Sequence, residues 1–383
     1  MLKIFVTGDN HIGKKYDRYP DVKELLIRSR FDSMRDMVRQ AEKEGCGLFV
    51  IAGDLFDNIS TIKVSDVKQV VEILSEFSGT VLVLPGNHDY YTGGEKVWTD
   101  FEKALQEQVH NVILLKEFKE YIFDVGDEQA AVYPAFCHAK HSKGNNLAWI
   151  REINIPEDGI YRVGIAHGAI KGVTPDRKEE YFLMTERELM DIPMDLWLIG
   201  HTHIPYPDLK EKEDTTGYKI FNAGTHEQTD LHNSTEGCCF VITVKKNGQK
   251  TVVSAHKYVS GRIRYRDLEL DVKAEREDSL QKKLESITDG LAQNSVVRVK
   301  ISGTVKQTEY EKRAKIYQAV LGRFLTYETD DSGLSAEITV EKIRSEFSEL
   351  SFAAKFLEQF LDNPMELQMA YEVINQCMEE KER

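Results

Sequence analysis

Short apolar runs that each end in glycine or in metal-binding side chains constrain this 383-residue chain more than any other feature. The runs are rich in Val, Ile, Leu and Phe without strict alternation, which is typical of strands buried on both faces. We therefore predict five buried strands, at Lys3–Thr7, Leu48–Ala52, Thr80–Leu84, Arg162–Ala166 and Leu196–Ile199.

Amphipathic helices are predicted between the first three strands. Apolar residues recur at spacings of three and four within Asp21–Glu44 and again within Val64–Phe77, and Gly45 ends the first helix. The order strand, helix, strand, helix, strand predicts a layered α/β fold. In a parallel sheet of this kind, ligands gather outside the carboxyl ends of the strands.

An antiparallel hairpin is predicted further along the chain, where the apolar period changes. Cys239–Val244 and Thr251–His256 flank Asn247-Gly248, a strong turn signal. This hairpin is expected to complete a first domain at residues 1–260.

A smaller β-α-β-α-β module is predicted at residues 261–343, followed by a helical tail at 344–383. Its elements are expected at Ile263–Val272, Asp278–Leu291, Ser295–Ile301, Glu309–Leu325 and Ala336–Glu341. Apolar stripes predict two tail helices, Phe352–Leu361 and Met365–Met378.

Composition excludes several classes of protein. With 41% hydrophobic and 30% charged residues, the chain is neither disordered nor membrane-embedded, and no apolar run approaches the ~20 residues that span a bilayer. Without a signal pattern at its start, the chain is expected in the cytoplasm, with no membrane partner. The odd cysteine number and the absence of a C-x-x-C pair favour buried thiols in a reducing compartment, at Cys46, Cys137, Cys238, Cys239 and Cys377.

A net charge of −14 argues against a protein that grips duplex DNA by its own basic surface. It does not exclude an enzyme whose bound cations contact phosphate locally.

Metal-type side chains follow each of the five predicted strands. They are Asp9 and His11 in GDNHIG, Asp54 and Asp57 in GDLFDN, Asn87 and His88 in GNHD, His167 in AHG, and His201 and His203 in GHTH. Each motif alone is typical of a turn, a cap or a pair of loop histidines. All five in order, each directly after a buried-strand pattern, indicate one shared metal site.

The donor types indicate which metals fit. Imidazole, carboxylate and one amide, with no thiolate, favour manganese, iron or zinc. The ligands are too numerous for one ion, and two ions ~3.5–4 Å apart would use them. Asp54 is the predicted bridge because it lies in the middle of the set and a carboxylate has two oxygens.

The order D-x-H, GDxxD, GNHD, H, GHxH resembles that of the calcineurin-like metallophosphoesterases. Within that superfamily, GDLFDN, FNAGTHEQTD, the β-α-β-α-β unit and the helical tail resemble the SbcD-type nucleases of DNA double-strand-break repair. The resemblance implies a β-sandwich flanked by helices, with a smaller capping domain and a tail that binds a partner.

The resemblance also implies a role for each residue. One ion would be held by Asp9, His11, Asp54 and His203, and the other by Asp54, Asn87, His167 and His201. His88 would face the scissile phosphate as a catalytic residue that is not a ligand. Asp57 would hydrogen-bond His88, orient it and favour its charged form.

The implied function is that of a manganese-dependent DNA exonuclease or endonuclease, with iron, zinc or magnesium as other metals. It would hydrolyse phosphodiester bonds through a water molecule that two metal ions activate. The implied partners are DNA, an SbcC-like SMC-type ATPase and a second copy of the chain. Two alternatives stay open: a phosphoesterase for a small phosphodiester or a phosphoprotein, and a binding scaffold that has lost its metals.

Several residues near the motifs have open roles. Lys14 and Lys15, interleaved with aromatic residues, either hold a phosphate backbone or belong to a solvated loop. Tyr90 and Tyr91 stack on a base, wall off the pocket or pack. His226, just after GHTH, matches no metal motif, and neither do His138, His141, His232 and His256.

Overall fold

The computed structural model describes residues 1–108, 111–174, 176, 178–209, 217–233, 235–248, 250–273 and 279–382. The chain divides into two compact units, Met1–Tyr265 and Arg266–Arg383. Within the described residues, no helix combines the length and the apolar character needed to cross a membrane. The predicted roles of the second unit as a cap and of its tail as a partner-binding segment stay predictions.

The first unit contains two β-sheets and the helices that cover them. Its strands are β1 (Leu2–Thr7), β2 (Leu48–Ile51), β3 (Thr80–Val83), β4 (Val112–Leu114), β5 (Tyr121–Val125), β6 (Glu128–Ala135), β7 (Tyr161–His167), β8 (Leu196–Gly200), β9 (Ile220–Asn222), β10 (Cys238–Asn247) and β11 (Lys250–Val259). Its helices are α1 (Lys23–Glu44), α2 (Val64–Ser75), α3 (Lys96–Gln108), α4 (Ala148–Glu152) and α5 (Glu186–Met190), with a 3₁₀ turn at Pro20–Val22.

The first sheet has the order β11-β10-β1-β2-β3-β4. Strands β1 to β4 run parallel, and β10 joins β1 in antiparallel pairing. The predicted hairpin is confirmed, because β10 and β11 pair around the turn at Gly248, whose φ is 63°. Gly45 ends α1 as predicted, in the left-handed conformation, with its N–H bonded to the last turn of the helix.

The second sheet has the order β5-β6-β7-β8-β9, and it is parallel from β6 to β9. All seven residues of β7 and all five of β8 are buried, as expected for strands covered on both faces.

The sheets pack face to face as a sandwich. The core between them contains Ile4 and Val50 from the first sheet and Val163 and Leu198 from the second. Helices α1, α2 and α3 cover the outer face of the first sheet, and α4 and α5 cover that of the second. The predicted α/β fold, a sandwich flanked by helices, is confirmed, but its five ligand-bearing strands belong to two sheets rather than one.

The second unit has the predicted β-α-β-α-β order, followed by short helices. Its elements are β12 (Arg264–Val272), α6 (Leu280–Ile287), β13 (Ser295–Val305), α7 (Gln307–Leu321), β14 (Thr326–Ala336), α8 (Val340–Glu346), α9 (Phe352–Leu357) and α10 (Pro364–Glu382). The strand predicted at Ala336–Glu341 is wrong: β14 ends at Ala336, and α8 follows. The Thr339 side chain accepts the N–H of Lys342 and so begins that helix. Asp278, the predicted start of α6, lies outside the described residues.

Candidate metal centre

The predicted ligands lie in the loops that follow the carboxyl ends of five strands. The first sheet supplies Asp9 and His11 after β1, Asp54 and Asp57 after β2, and Asn87 and His88 after β3. The second sheet ends β7 at His167 and places His201 and His203 after β8. Both sheets thus present their ligands at one end of the sandwich.

The backbone of these loops is strained at the ligand positions. Asp9, His11, Asp54 and His201 adopt positive φ angles of 49°, 45°, 52° and 103°. Residues other than glycine rarely occupy this region, and such conformations cluster at functional sites. Two backbone bonds hold the loops, because Asp9 N–H donates to Gly53 O at 3.0 Å and His11 N–H donates to Asp54 O at 3.0 Å.

The first predicted ligand set converges in space. Nε2 of His11 lies 3.0 Å from Nε2 of His203, which lies 3.6 Å from Oδ1 of Asp9. Oδ2 of Asp54 lies 3.9 Å from His11 Nε2. Ligand atoms of Asp9, His11 and His203 lie within 4.8 Å of one another.

The second predicted set also converges. Asp54 Oδ2 lies 3.3 Å from His167 Nε2. The side-chain oxygen of Asn87 lies 3.1 Å from His167 Nε2 and 3.0 Å from His201 Nδ1. Oδ2 of Asp54 therefore faces both sets, while its Oδ1 accepts the backbone N–H of His88 at 2.8 Å.

The donor chemistry of these side chains fits divalent metal ions. Nδ1 of His167 donates to Ala52 O at 2.9 Å, which directs Nε2 toward Asp54. Asp9 Oδ1 is buried and lacks a hydrogen-bond donor among the described residues. Buried lone pairs that face one another at such distances repel, and a shared cation relieves that repulsion.

Three of these side chains, those of His201, His203 and Asp54, have pKa values that favour the forms that bind metal. Burial lowers the pKa of His201 to about 4 and that of His203 to about 3, so both rings are neutral at pH 7. Burial alone would raise the pKa of Asp54, but the neighbouring His167 and His11 hold it well below its usual range. Neutral imidazoles beside an ionised carboxylate are the forms that bind metal.

Two buried groups hold protons near neutral pH. Burial raises the pKa of Asp9 to about 8, against the lowering effect of His167. Burial lowers the pKa of His167, but the Asp54 carboxylate outweighs this and raises it to about 9. Metal binding at these positions must therefore release protons.

Asp57 contacts His88 differently from the prediction. His88 Nδ1 lies 2.9 Å from the backbone oxygen of Asp57, to which the ring donates. The Asp57 carboxylate lies 3.3 Å from Nδ1 of His11 instead. The predicted orientation of His88 by Asp57 thus runs through the main chain, while the carboxylate orients a predicted metal ligand.

A family model described as calcineurin-like phosphoesterase matches residues 2–205, which include every residue of both ligand sets. The chain belongs to this family.

Other comparisons give more distant likenesses to this phosphoesterase. An uncharacterized metallophosphoesterase, YhaO of Bacillus subtilis (strain 168), is 32% identical over 180 residues, 46% of this chain and 42% of the relative. The chain thus matches less than half the length of that curated relative. The calcineurin-like phosphoesterase YfkN from Bacillus subtilis is 13% identical over 68% of this chain and 90% of its own, with a TM-score of 0.41. The purple acid phosphatase PPD1 from yellow lupin seeds is 11% identical over 68% of this chain and 51% of its own, with a TM-score of 0.39.

Asp89 ties the loops of this phosphoesterase together, a role that the motif pattern did not predict. The side chain is fully buried; one oxygen accepts Gly86 N–H at 2.6 Å and the other accepts Phe56 N–H at 2.9 Å. The loops after β2 and β3 are thereby held together next to Asp54. The sequence signal for this role was the aspartate that ends the GNHD motif.

A buried polar cluster supports the loop after β1. Arg30, 1% exposed, donates to Asn10 O at 2.5 Å and to the hydroxyl of Tyr16 at 2.6 Å. His226 is fully buried, and its Nε2 lies 3.2 Å from the backbone oxygen of Arg30. His226 is therefore a packed histidine and is absent from the metal-type clusters found among the described residues.

The metal pocket is also lined by two residues that lie outside the predicted motifs. The pocket has a volume of about 280 Å³, and Lys140 and Tyr181 join five motif residues around it. The ring of Tyr181 lies 4.8 Å from that of His201. Both residues lie in loops without a repeated pattern, so sequence reasoning had no signal for them.

A basic cleft begins two residues beyond His11. Its volume is about 790 Å³, and its cationic lining is Lys14, Lys15, Lys23, Arg28, Arg35 and Lys63. Three acidic residues line it as well: Glu24, Asp32 and Asp66. Arg28 and Arg35 form ion pairs with Asp32 at 3.7 Å, while Lys14, Lys15 and Lys63 form none with the described residues.

Tyr90 and Tyr91 separate in the structure. Tyr91 packs against both hydrophobic cores, with its ring 6.2 Å from that of Phe136. Tyr90 lines a small cleft beside His88. Of the two, Tyr90 is available to a ligand and Tyr91 serves packing.

Proposed function

We propose that this phosphoesterase is a manganese-dependent DNA nuclease of the SbcD type, which hydrolyses phosphodiester bonds of DNA. Membership of the family supports phosphoester hydrolysis. The proposed substrate is a polyanion with several phosphates, which the metal pocket and the basic cleft would hold together.

The observation that carries the DNA proposal is the basic cleft next to His11. Six cationic and three acidic side chains line it, although the chain as a whole has a charge of −14. Lys23 of this cleft pairs with Asp17. Lys14, Lys15 and Lys63 form no ion pair with a described acidic residue and are available to phosphate. Such a concentration of unpaired cations beside a metal-type pocket suits a strand whose phosphates continue beyond the scissile bond.

The residues that would hold two ions are the two ligand sets that share Asp54. Divalent ions bound there supply electrophilic stabilisation of the phosphoryl oxygens and lower the pKa of water. Manganese is the proposed ion because the donors are imidazole, carboxylate and amide without thiolate.

His88 is the proposed catalytic residue. Its Nδ1 donates to Asp57 O, so its Nε2 is the nitrogen that remains for substrate. The oxygen of a water molecule would bond to phosphorus while that water gives up a proton to solvent. As the bond to the leaving oxygen breaks, protonated Nε2 would donate its proton to that oxygen. The main-chain contact keeps the ring in position for this transfer.

The decisive experiment is digestion of end-labelled duplex and single-stranded DNA with Mn²⁺, with Asp54→Ala as the inactive control. Shortening or nicking by the wild type alone supports the proposal. Hydrolysis of a chromogenic phosphodiester without any cleavage of DNA would favour an enzyme for a small phosphodiester or a phosphoprotein. Fewer than one metal ion per chain after manganese loading would favour a scaffold that has lost its metals.

The cleft has a separate test, the salt dependence of DNA binding. Removing one lysine that neutralises a phosphate should reduce the slope of log K against log salt concentration by about 0.7–0.9. Replacing Lys14, Lys15 and Lys63 together by Ala should therefore reduce the slope by about 2–3. Lys143→Ala, an exposed lysine outside this cleft, is the matched control and should leave the slope unchanged.

An SbcC-like SMC-type ATPase and a second copy of the chain are the proposed protein partners. Supporting this, large apolar side chains are exposed on the tail, with Phe352 at 78%, Met369 at 63% and Val373 at 58% exposure. Met369 and Val373 are four residues apart on α10 and share one face. Co-purification with such an ATPase should fail for Met369→Glu/Val373→Glu and persist for Gln368→Glu/Asn375→Glu, which adds the same charge to the flank of the helix.

A further inference from the structure

A second cleft adjoins the metal pocket, and of its lining residues only Asp57 and His88 take part in the chemistry described so far. Its volume is about 190 Å³, and its lining includes Asn58, Ser60, His88, Tyr90 and Lys140. His88 and Lys140 line the metal pocket as well, so the two clefts meet along these side chains. A molecule that extends from the metal pocket past His88 enters this second cleft.

Backbone hydrogen bonds hold the chain shortly before Lys140. The buried residue Cys137 donates its N–H to Pro85 O at 3.0 Å and accepts the N–H of Tyr91 at 2.9 Å. These bonds attach the chain before Lys140 to both ends of the GNHDY loop. Backbone pairing thus holds the chain three residues before Lys140, and Lys140 and Tyr90 line the same cleft.

One wall of the cleft is a turn with polar side chains. Asp57 N–H donates to Ile12 O at 2.9 Å, which fixes the start of the turn. The side-chain oxygen of Asn58 then accepts Ser60 N–H at 2.8 Å. The amide group of Asn58 and the hydroxyl of Ser60 remain for a ligand in the cleft.

We propose that this cleft is the subsite for the leaving nucleotide. The inference rests on the proposed function, in which the leaving oxygen takes its proton from His88. The part of the substrate attached to that oxygen must then lie on the His88 side of the scissile phosphorus, where the second cleft opens. Tyr90 offers a ring on which a base can stack, and Lys140 a cation for the next phosphate.

The subsite distinguishes phosphodiester substrates by the chemical nature of the leaving group. A leaving nucleotide that bears a further phosphate gains the contact with Lys140. A leaving group without base or phosphate, such as nitrophenolate, gains neither this contact nor the polar wall. The chemical class of the substrate is therefore an oligonucleotide rather than a simple diester.

Calorimetric titration of the manganese-loaded protein with thymidine 3′,5′-bisphosphate and with the two thymidine monophosphates tests the subsite. The bisphosphate can place one phosphate in the metal pocket and the other at Lys140. We expect it to bind about 10-fold more tightly than either monophosphate, the effect of one hydrogen bond to a charged group. Lys140→Ala should abolish this gain, and Lys143→Ala, an exposed lysine of the same loop, should retain it.

Hydrolysis of the dinucleotide TpT, with and without a terminal phosphate at either end, separates the two proposals. A preference for one phosphorylated form that Lys140→Ala removes supports the subsite. The subsite is overturned, whatever the enzyme cleaves, if the wild type binds the bisphosphate no more tightly than the monophosphates. It is also overturned if Lys140→Ala keeps the full difference in affinity. A normal Lys140-dependent gain without hydrolysis of any dinucleotide or DNA overturns the proposed function and leaves the subsite standing.

Discussion

Replacing Gly86 by alanine adds one methyl group, which should displace the residues of the candidate metal centre. A Cβ added there would lie 2.2 Å from Oδ1 of Asp54 and 2.3 Å from its backbone nitrogen. Ordinary contact begins at 3.4 Å, so the two loops must separate by about 1 Å. The backbone of Asp54 cannot rotate away as a side chain can, and the displacement therefore reaches the ligands.

The size of the effect can be worked out from that displacement. Misplacement of reacting groups by 1 Å costs on the order of 10²-fold in rate. The same methyl group blocks the oxygen that accepts His88 N–H at 2.8 Å, so His88, the proposed catalytic residue, shifts as well. We expect Gly86→Ala to lower kcat/KM for bis(4-nitrophenyl) phosphate with Mn²⁺ by at least about 100-fold.

Gly94→Ala is the matched control, since a Cβ there meets nothing within 4 Å. It should retain activity within about twofold, because an unobstructed surface substitution changes little. Circular dichroism on heating must show that both variants are folded at the assay temperature. Wild-type activity in Gly86→Ala, or an equal loss in both glycine variants, would refute the steric reasoning.

Three further perturbations test the centre in different ways. His88→Ala should cost roughly 10²–10⁴-fold in rate while metal content stays near the wild-type value, and loss of both metals would show that His88 is a ligand. Asp57→Asn should weaken manganese binding about 10–100-fold in calorimetry, because the Asp57 carboxylate lies against His11. An unchanged affinity for manganese with an altered pH profile of activity would instead indicate that the carboxylate acts on His88. The metal-free protein should lose stability as pH rises from about 6.5 to 9. The reason is that the pKa values of Asp9 and His167 in the folded protein are raised to about 8 and about 9. A group with a raised folded-state pKa contributes stability only while it keeps its proton. Thermal unfolding across this range checks the direction, manganese should raise the midpoint more at pH 8.5 than at pH 6, and a midpoint that rises with pH without metal would contradict the sign.

The strands and the convergence of the predicted ligands were predictable from the sequence because both depend on local patterns. A run such as Leu48–Ala52 is apolar throughout only when both faces of a strand are covered, and β2 is fully buried. The polar residues that directly follow such runs therefore lie outside the core, next to one another at the edge of the sheet. The order of the motifs then identified which side chains converge.

The remaining features depend on contacts that no local pattern specifies. Buried parallel strands have the same sequence pattern whether they belong to one sheet or to two. The sequence therefore did not show that β3 and β7 lie in different sheets. The sequence identified Asp57 but not whether its carboxylate or its carbonyl faces His88, since this depends on side-chain rotation. Lys140 and Tyr181 reach the pocket through loops, where the approach of distant segments decides the position.

The division of the ligands between two sheets also sets when the centre can form during protein synthesis. A nascent chain that ends before β7 carries Asp9, His11, Asp54 and Asn87 but lacks all three histidines of the second sheet. The ribosome must release residue 203 and the sheets must pack before one hollow contains every donor. A product truncated before residue 203 therefore lacks at least one predicted ligand and cannot bring the two complete ligand sets together.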